Sequence, residues 1–135
     1  MTDEGKEQLE KDEGRRAKVY LDSKGIATIG VGRNLRDKGL ANDEINFLFS
    51  NDIRDTEQFL WETFSGWNSF TPHRQDALVN LCFNTGNAGF LKFKKMVAAI
   101  KAGNWETASA ECKDSEVYKE RPDRIGRIAD ALKEG

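Results

Sequence analysis

An α+β fold, with a small hairpin-bearing lobe, one long connecting helix and a lobe of short helices, is what three features of this sequence call for. Turn chemistry at Asp22-Ser23-Lys24-Gly25 separates two short runs of strand-forming residues. From Asn42 the apolar residues change to a helical period and keep it for about twenty residues. Beyond that point glycine and proline divide the chain into several short amphipathic stretches.

Taken in order, Thr2 or Asp3 can cap a first helix running to about Glu13, with Glu4 and Glu7 near its positive N-terminal end. Gly14 stands where that helix would stop. Val19, Tyr20 and Leu21 favour a strand, and Ile26 to Val31 alternate as a second one. Ile26, Thr28 and Gly30 lie on one face of it, Ala27, Ile29 and Val31 on the other. A further short strand is expected after Gly32. Asn42 is read as the cap of the long helix, Asp43 to about Thr63, whose seam is Ile45, Phe49, Ile53 and Leu60. Ser65 to Ser69 break it. Thr71-Pro72 start a helix that carries Ala77, Leu78, Leu81 and Cys82 on one face and stops near Gly86. Phe90 and Phe93 lead into a helix through Met96, Val97 and Ile100, ended by Gly103. Asn104 caps the next, and Pro122 opens a last stretch with Ile125, Ile128 and Leu132. The expected division is one domain with a small lobe over 1–42, a connecting helix over 43–64 and a helical lobe over 65–135.

Composition narrows the function. The chain has 135 residues, enough to bury a core without disulfides. Lys+Arg number 21 against 23 Asp+Glu, so there is no basic stripe of the kind nucleic acid requires, and no nucleic-acid partner is expected. Cys82 and Cys112 are the only cysteines and read as buried, reduced thiols of a cytoplasmic protein. The single His73 cannot make a His-based metal site, and neither metal nor cofactor is expected. The acidic start MTDEGKEQLEKDEG looks like neither a signal peptide nor an anchor, and no run is apolar enough for membrane insertion. A monomer is expected.

The chemistry-bearing residues lie in the first thirty. Glu13 ends a helix, Asp22 ends a strand, and Thr28 lies on the paired strand, so short connections bring two carboxylates and a hydroxyl to the rim of one lobe. Glycoside hydrolysis needs such a pair, one carboxylic acid for the leaving oxygen and one carboxylate for water or for nucleophilic attack. The acid must stay protonated near neutral pH, which calls for partial burial or a second negative group nearby. A threonine hydroxyl can hold a water in line. Among 23 acidic residues, however, two beside a hairpin are ordinarily solvated or turn-forming. Composition and spacing alone leave the chemistry open.

The string LEKDEGRRAKVYLDSKGIATIGVG closely resembles the opening of the phage lysozymes of the T-even type, an endolysin family. In that family an Asp follows the Glu by nine residues and a Thr follows the Asp by six, inside Thr-Ile-Gly-x-Gly; here these are Glu13, Asp22 and Thr28. The resemblance continues at Phe49-Ser50-Asn51-Asp52-Ile53, at Asp76 to Asn84, at Trp105 and from Tyr118 to Arg124, and so covers nearly the whole chain. It implies a lysozyme-like fold and hydrolysis of the β-1,4 bond between N-acetylmuramic acid and N-acetylglucosamine in peptidoglycan. Glu13 would be the general acid, Asp22 the base or electrostatic partner, and Thr28 the water-positioning hydroxyl. Arg124 resembles the arginine that supports the catalytic Glu, with a solvated helix-terminal arginine as the alternative. Phe83 and Asn34 resemble glycan-cleft contacts, the alternatives being core packing and a plain loop residue. The expected setting is the host cytoplasm before lysis and the cell wall after release, with a holin as a partner in that release.

Several positions depart from the pattern. A His that often follows the glycine-spaced strand is Arg33 here, with Asp52 at its partner's place. Two cleft positions that are Ser and Asn in the T-even type are Met96 and Glu111. The segment between Arg33 and Asn42 is much shorter, so the small lobe should be little more than its hairpin, and the last helix of larger relatives is expected to be absent. Two other functions stay open on these grounds: a catalytically silent peptidoglycan-binding module, and a lytic transglycosylase working with one acid and no water.

Overall fold

The computed structural model describes residues 1–135, and the fold is α+β, with seven helices and one three-stranded antiparallel sheet. The chain divides into two compact units, Met1–Leu48 and Phe49–Gly135. No helix is long and apolar enough to cross a membrane.

In the first unit, α1 spans Asp3–Glu13. Thr2 is its cap, with Oγ1 accepting from the Gly5 N–H at 3.1 Å, and Asp3 and Glu4 complement the positive end. The helix closes when the Gly14 N–H donates to the Glu10 carbonyl at 2.8 Å. β1 (Arg16–Leu21), β2 (Ala27–Gly30) and β3 (Arg33–Asn34) follow in sequence order, so β2 is the central strand. Register places Tyr20 and Asn34 on either side of Thr28. Ile26 and Thr28 are buried, in keeping with the shared face that alternation assigned them. The second strand is shorter at both ends than the expected Ile26 to Val31.

The long helix α2 spans Asn42–Thr63. Asn42 is not its cap. The Ala41 carbonyl accepts the first helical bond, from Ile45 N–H at 2.9 Å, and the Ala41 N–H donates to Glu44 Oε1 at 2.9 Å. This is half of a capping box: Ala41 has no side-chain acceptor, so Glu44 does the closing from the third helical position.

In the second unit, the expected seam of α2 is covered only toward its C-terminal end. Leu60 is fully buried and Ile53 half-buried, whereas Phe49 is 51% exposed. A 3₁₀ turn at Trp67–Ser69 leads to α3 (Pro72–Leu91), where Thr71 caps through the Arg74 N–H and Pro72 takes the first position. α3 is broken at Gly86, with φ 74° and ψ 165°, and resumes beyond it, so the expected stop is an interruption. α4 (Lys94–Lys101) and α5 (Trp105–Lys113) follow, the latter capped by Asn104 through the Thr107 N–H at 3.1 Å. α6 (Glu116–Glu120), capped by Ser115, is not anticipated by the sequence pattern, and α7 (Pro122–Glu134) completes the unit. Leu60, Phe64, Leu78, Leu81, Phe90 and Ile125 form the core, each worth roughly 1.5–3 kcal/mol of burial. Arg74 ties the first turn of α3 to the end of α7: its Nε donates to the Leu132 carbonyl at 2.8 Å while its guanidinium stacks on Trp105.

Candidate active site

The hairpin is built around Asp22. Its Oδ1 accepts from the Lys24 N–H at 2.8 Å and the Ile26 N–H at 2.9 Å, and its backbone closes the same turn with Ile26 and Gly25. A single carboxylate oxygen thus satisfies two loop donors and fixes the side chain. Oδ2 has no protein partner and stays available as an acceptor. Asp22 is half-buried.

Thr28 lies on the central strand and is buried, at 4% exposure. Its hydroxyl donates to the Ile26 carbonyl at 2.8 Å. With the proton committed there, what Oγ1 can offer a further partner is a lone pair. Ile26 therefore ties both side chains to one another, giving its N–H to Asp22 and its carbonyl to Thr28.

Glu13 is the last residue of α1 and is exposed as a residue. Its carboxyl lies against the backbone of Gly32, in the turn between β2 and β3. A Cβ at position 32 would come to 2.9 Å from Glu13 Oε2 and 3.3 Å from its carboxyl carbon, and Gly32 has φ +68°. Glycine is needed there both for the conformation and for the approach. The first unit thus carries a carboxyl seated on bare backbone, a carboxylate with one unengaged oxygen, and a hydroxyl that can only accept.

Two ion pairs brace the chain beyond β3. Arg33 Nη1 donates to the Glu44 carboxylate at 2.7 Å and to the Gly39 carbonyl at 3.2 Å, so its partner is Glu44, where Asp52 was expected. The Arg33 hydrogen bond, helped by the Ala41 N–H, pulls the Glu44 carboxyl down to about 2. Arg36 pairs with Asp37, whose hydrogen bond raises the guanidinium further, with a weaker attraction from Asp22. Asn34 has both ends of its amide on Asp37, donating to Oδ2 at 3.0 Å and accepting from the Asp37 N–H at 2.8 Å.

The remaining residues singled out from the sequence lie in the second unit. Phe83 is 43% exposed and packs edge-on against Phe49, ring centroids 5.9 Å apart. Arg124 donates to Asn80 and Asn84 of α3. Met96 is a core residue at 1% exposure, and Glu111 is half-buried. Glu13, Asp22 and Thr28 share the first unit, with Asn34 beside Thr28. The contacts made by Gly32, Glu44 and Asn84 were not anticipated from the sequence. The Gly-Val-Gly spacing was a signal for Gly32, and Ala41-Asn42-Asp43-Glu44 contains the Glu of a capping box; nothing local marks Asn84.

The phage lysozyme family model matches residues 10–122. The chain is similar to the pre-baseplate central spike protein Gp5 of Enterobacteria phage T4, 31% identical over 150 residues, covering 90% of this chain but 26% of that protein. It therefore spans about a quarter of the spike protein's length. It is also similar to two proteins of Dictyostelium discoideum described as probable T4-type lysozymes. Lysozyme 2 is 27% identical and lysozyme 1 is 23% identical, each covering 96% of this chain and 94% of the relative.

Proposed function

The chain belongs to the phage lysozyme family, and from that premise we propose that it hydrolyses the β-1,4 bond between N-acetylmuramic acid and N-acetylglucosamine in bacterial peptidoglycan. Glu13 gives its proton to the glycosidic oxygen as the C1–O bond breaks. A water attacks C1 and passes a proton to the Asp22 carboxylate, so the net change is addition of water across the bond.

The observation that supports this most is how the hairpin sorts hydrogen-bonding capacity. Asp22 Oδ1 and the Thr28 proton are both taken up by the turn, which leaves Asp22 Oδ2 and Thr28 Oγ1 as acceptors. A water that donates to both directs its lone pair elsewhere, as an attacking nucleophile must. Positioning of this kind, with a general acid, is worth roughly 10²- to 10⁴-fold for the proton-transfer part alone. Direct attack by water inverts the anomeric centre, for which carboxyl groups stand ~6.5–9.5 Å apart in known glycosidases.

The protein acts as an endolysin, reaching the cell wall from the host cytoplasm through a holin-dependent lesion and releasing progeny. The experiment is turbidity loss with outer-membrane-permeabilised Gram-negative cells: wild type clears them and Glu13→Gln does not. Clearing by Glu13→Gln at the wild-type rate would remove Glu13 from its role. Active protein held inside cells whose inner membrane is intact supports the release route, and unaided appearance outside them contradicts it.

A further inference from the structure

Arg16 and Tyr20 stand four residues apart on β1, yet the Arg16 guanidinium lies over the Tyr20 ring, 4.6 Å from its centroid. A regular strand would hold their Cα atoms about 13 Å apart. Register accounts for the approach. Arg16 pairs with Gly30 and Tyr20 with Thr28, so four steps along β1 span only two along β2, and the residues between bulge outward. The bulge shortens β1 and folds the cation back onto the ring. Arg15 next to it is taken by Glu10, whereas Arg16 has no acidic partner, so the ring face is what its charge meets. Tyr20 is half-buried and directly opposite Thr28. Residues paired in this way stand side by side on one face of a sheet, with Cβ atoms about 5 Å apart. The next residue of β2 on that face is Gly30, with open space where a Cβ would go, so β2 gives the ring no support on that side. The Arg16 guanidinium supplies it. On the other flank of Thr28, Asn34 is clamped by Asp37.

We propose that Tyr20 is a positioning residue for the attacking water: its ring, pinned by Arg16, is the wall of the Thr28 site on the β1 side. The inference rests on the hydrolytic reading above, and it stays within the unit that carries Asp22 and Thr28. With its proton given to the Ile26 carbonyl, Thr28 can only accept, so it orients a water but does not stop it sliding sideways. Asn34 limits that movement on one flank and the Tyr20 ring on the other. A ring free to swing would leave room for the water to shift or for a second one to enter, and fewer waters would then stand in line for attack. The hydroxyl of Tyr20 takes no part in this role; the ring and the cation over it do.

The test combines peptidoglycan kinetics with the NMR signal of the Thr28 methyl group. Tyr20→Leu removes the ring and is expected to lower kcat roughly 10-fold with KM nearly unchanged, while Tyr20→Phe keeps the ring and should stay near wild type. Arg16→Gln should lower kcat roughly 3-fold, and Arg16→Lys, which still places a cation on the ring, should restore most of it. Because the ring acts through Thr28, Tyr20→Leu should cost less than about 2-fold more in a Thr28→Val background, read from prolonged digests. The methyl resonance reports the ring without any reaction: Arg16→Gln should shift it and Arg16→Lys should leave it in place. Thermal unfolding of each variant identifies any that fail to fold. An equal loss from Tyr20→Leu in both backgrounds, a Tyr20→Phe as impaired as Tyr20→Leu, or an unmoved methyl signal in folded Arg16→Gln would overturn the proposal. Failure of the wild type to cut peptidoglycan would instead overturn the hydrolytic reading and the positioning role with it, while the methyl signal would still decide whether Arg16 holds the ring beside Thr28.

Discussion

Glu13 rests against the backbone of Gly32 so closely that a single methyl group on residue 32 would lie 2.9 Å from its Oε2. Gly30, two residues earlier, has nearly the same backbone angle, φ +67° against +68°, but open space where a Cβ would go. The pair separates strain from displacement. Gly30→Ala and Gly32→Ala should each lose about 1–2 kcal/mol of stability from the left-handed backbone. Only Gly32→Ala should push Glu13 aside, with activity falling on the order of 10²-fold. Urea unfolding and lysis rates on the two variants check this; equal activity in both would mean that the Gly32 contact does not hold the acid in place.

Asp22 has a structural duty as well as a proposed chemical one, and substitution can part them. Asp22→Asn keeps an oxygen for the Lys24 and Ile26 N–H groups, so melting should stay near wild type while hydrolysis drops severely. Asp22→Ala frees both donors and should add a stability loss of roughly 1–2 kcal/mol. Should Asp22→Asn retain most of its hydrolytic rate, the role of Asp22 would be confined to the turn.

Thr28→Ser preserves both the bond to the Ile26 carbonyl and the acceptor, whereas Thr28→Val removes both at nearly constant volume. The serine variant is expected to keep substantial activity and the valine variant to lose it. Loss of activity in the valine variant beyond what its unfolding curve explains identifies the hydroxyl as part of the water site.

The Arg33–Glu44 pair predicts an acid-side stability signature. Because Glu44 is lowered from 4.5 to about 2 in the folded protein, its contribution is complete above about 4.5 and fades as pH falls toward 2. Glu44→Gln should therefore melt below wild type at pH 7, with the gap closing between pH 4.5 and 2. The pair is partly exposed, so added salt should narrow the gap too. A gap that is constant across this range would mean that ionisation of Glu44 does not contribute to stability.

The two thiols give a test of packing. Cys82 and Cys112 are free and buried, and burial raises both to about 11. An aromatic disulfide reagent at pH 8 should titrate neither quickly in native protein and both after denaturation. Rapid native reaction would mean that the helical core opens readily.

The helices were legible where capping chemistry or proline marks a boundary, as at Thr2, Pro72, Asn104 and Pro122, and the hairpin was legible from Asp22 to Gly25. α6 was not, because five residues between Ser115 and Arg121 are too few to show a period. The start of α2 was misread because Asn42 is a good capping residue by type, while the bond that closes the helix comes from Glu44. The candidate site divides in the same way. The resemblance to one family, not spacing alone, pointed to Glu13, Asp22 and Thr28, but the seating of Glu13 on Gly32 and the bonds that leave Asp22 and Thr28 as acceptors are tertiary facts. The Arg124–Asn84 pairing joins residues forty apart and has no local trace.

The most direct test of the central claim is a mass-spectrometric muropeptide digest made with wild type and with Glu13→Gln. Hydrolysis by a held water predicts muropeptides ending in reducing N-acetylmuramic acid from the wild type and none from Glu13→Gln. Anhydro-muropeptides from the wild type, or an unchanged digest from Glu13→Gln, would contradict it.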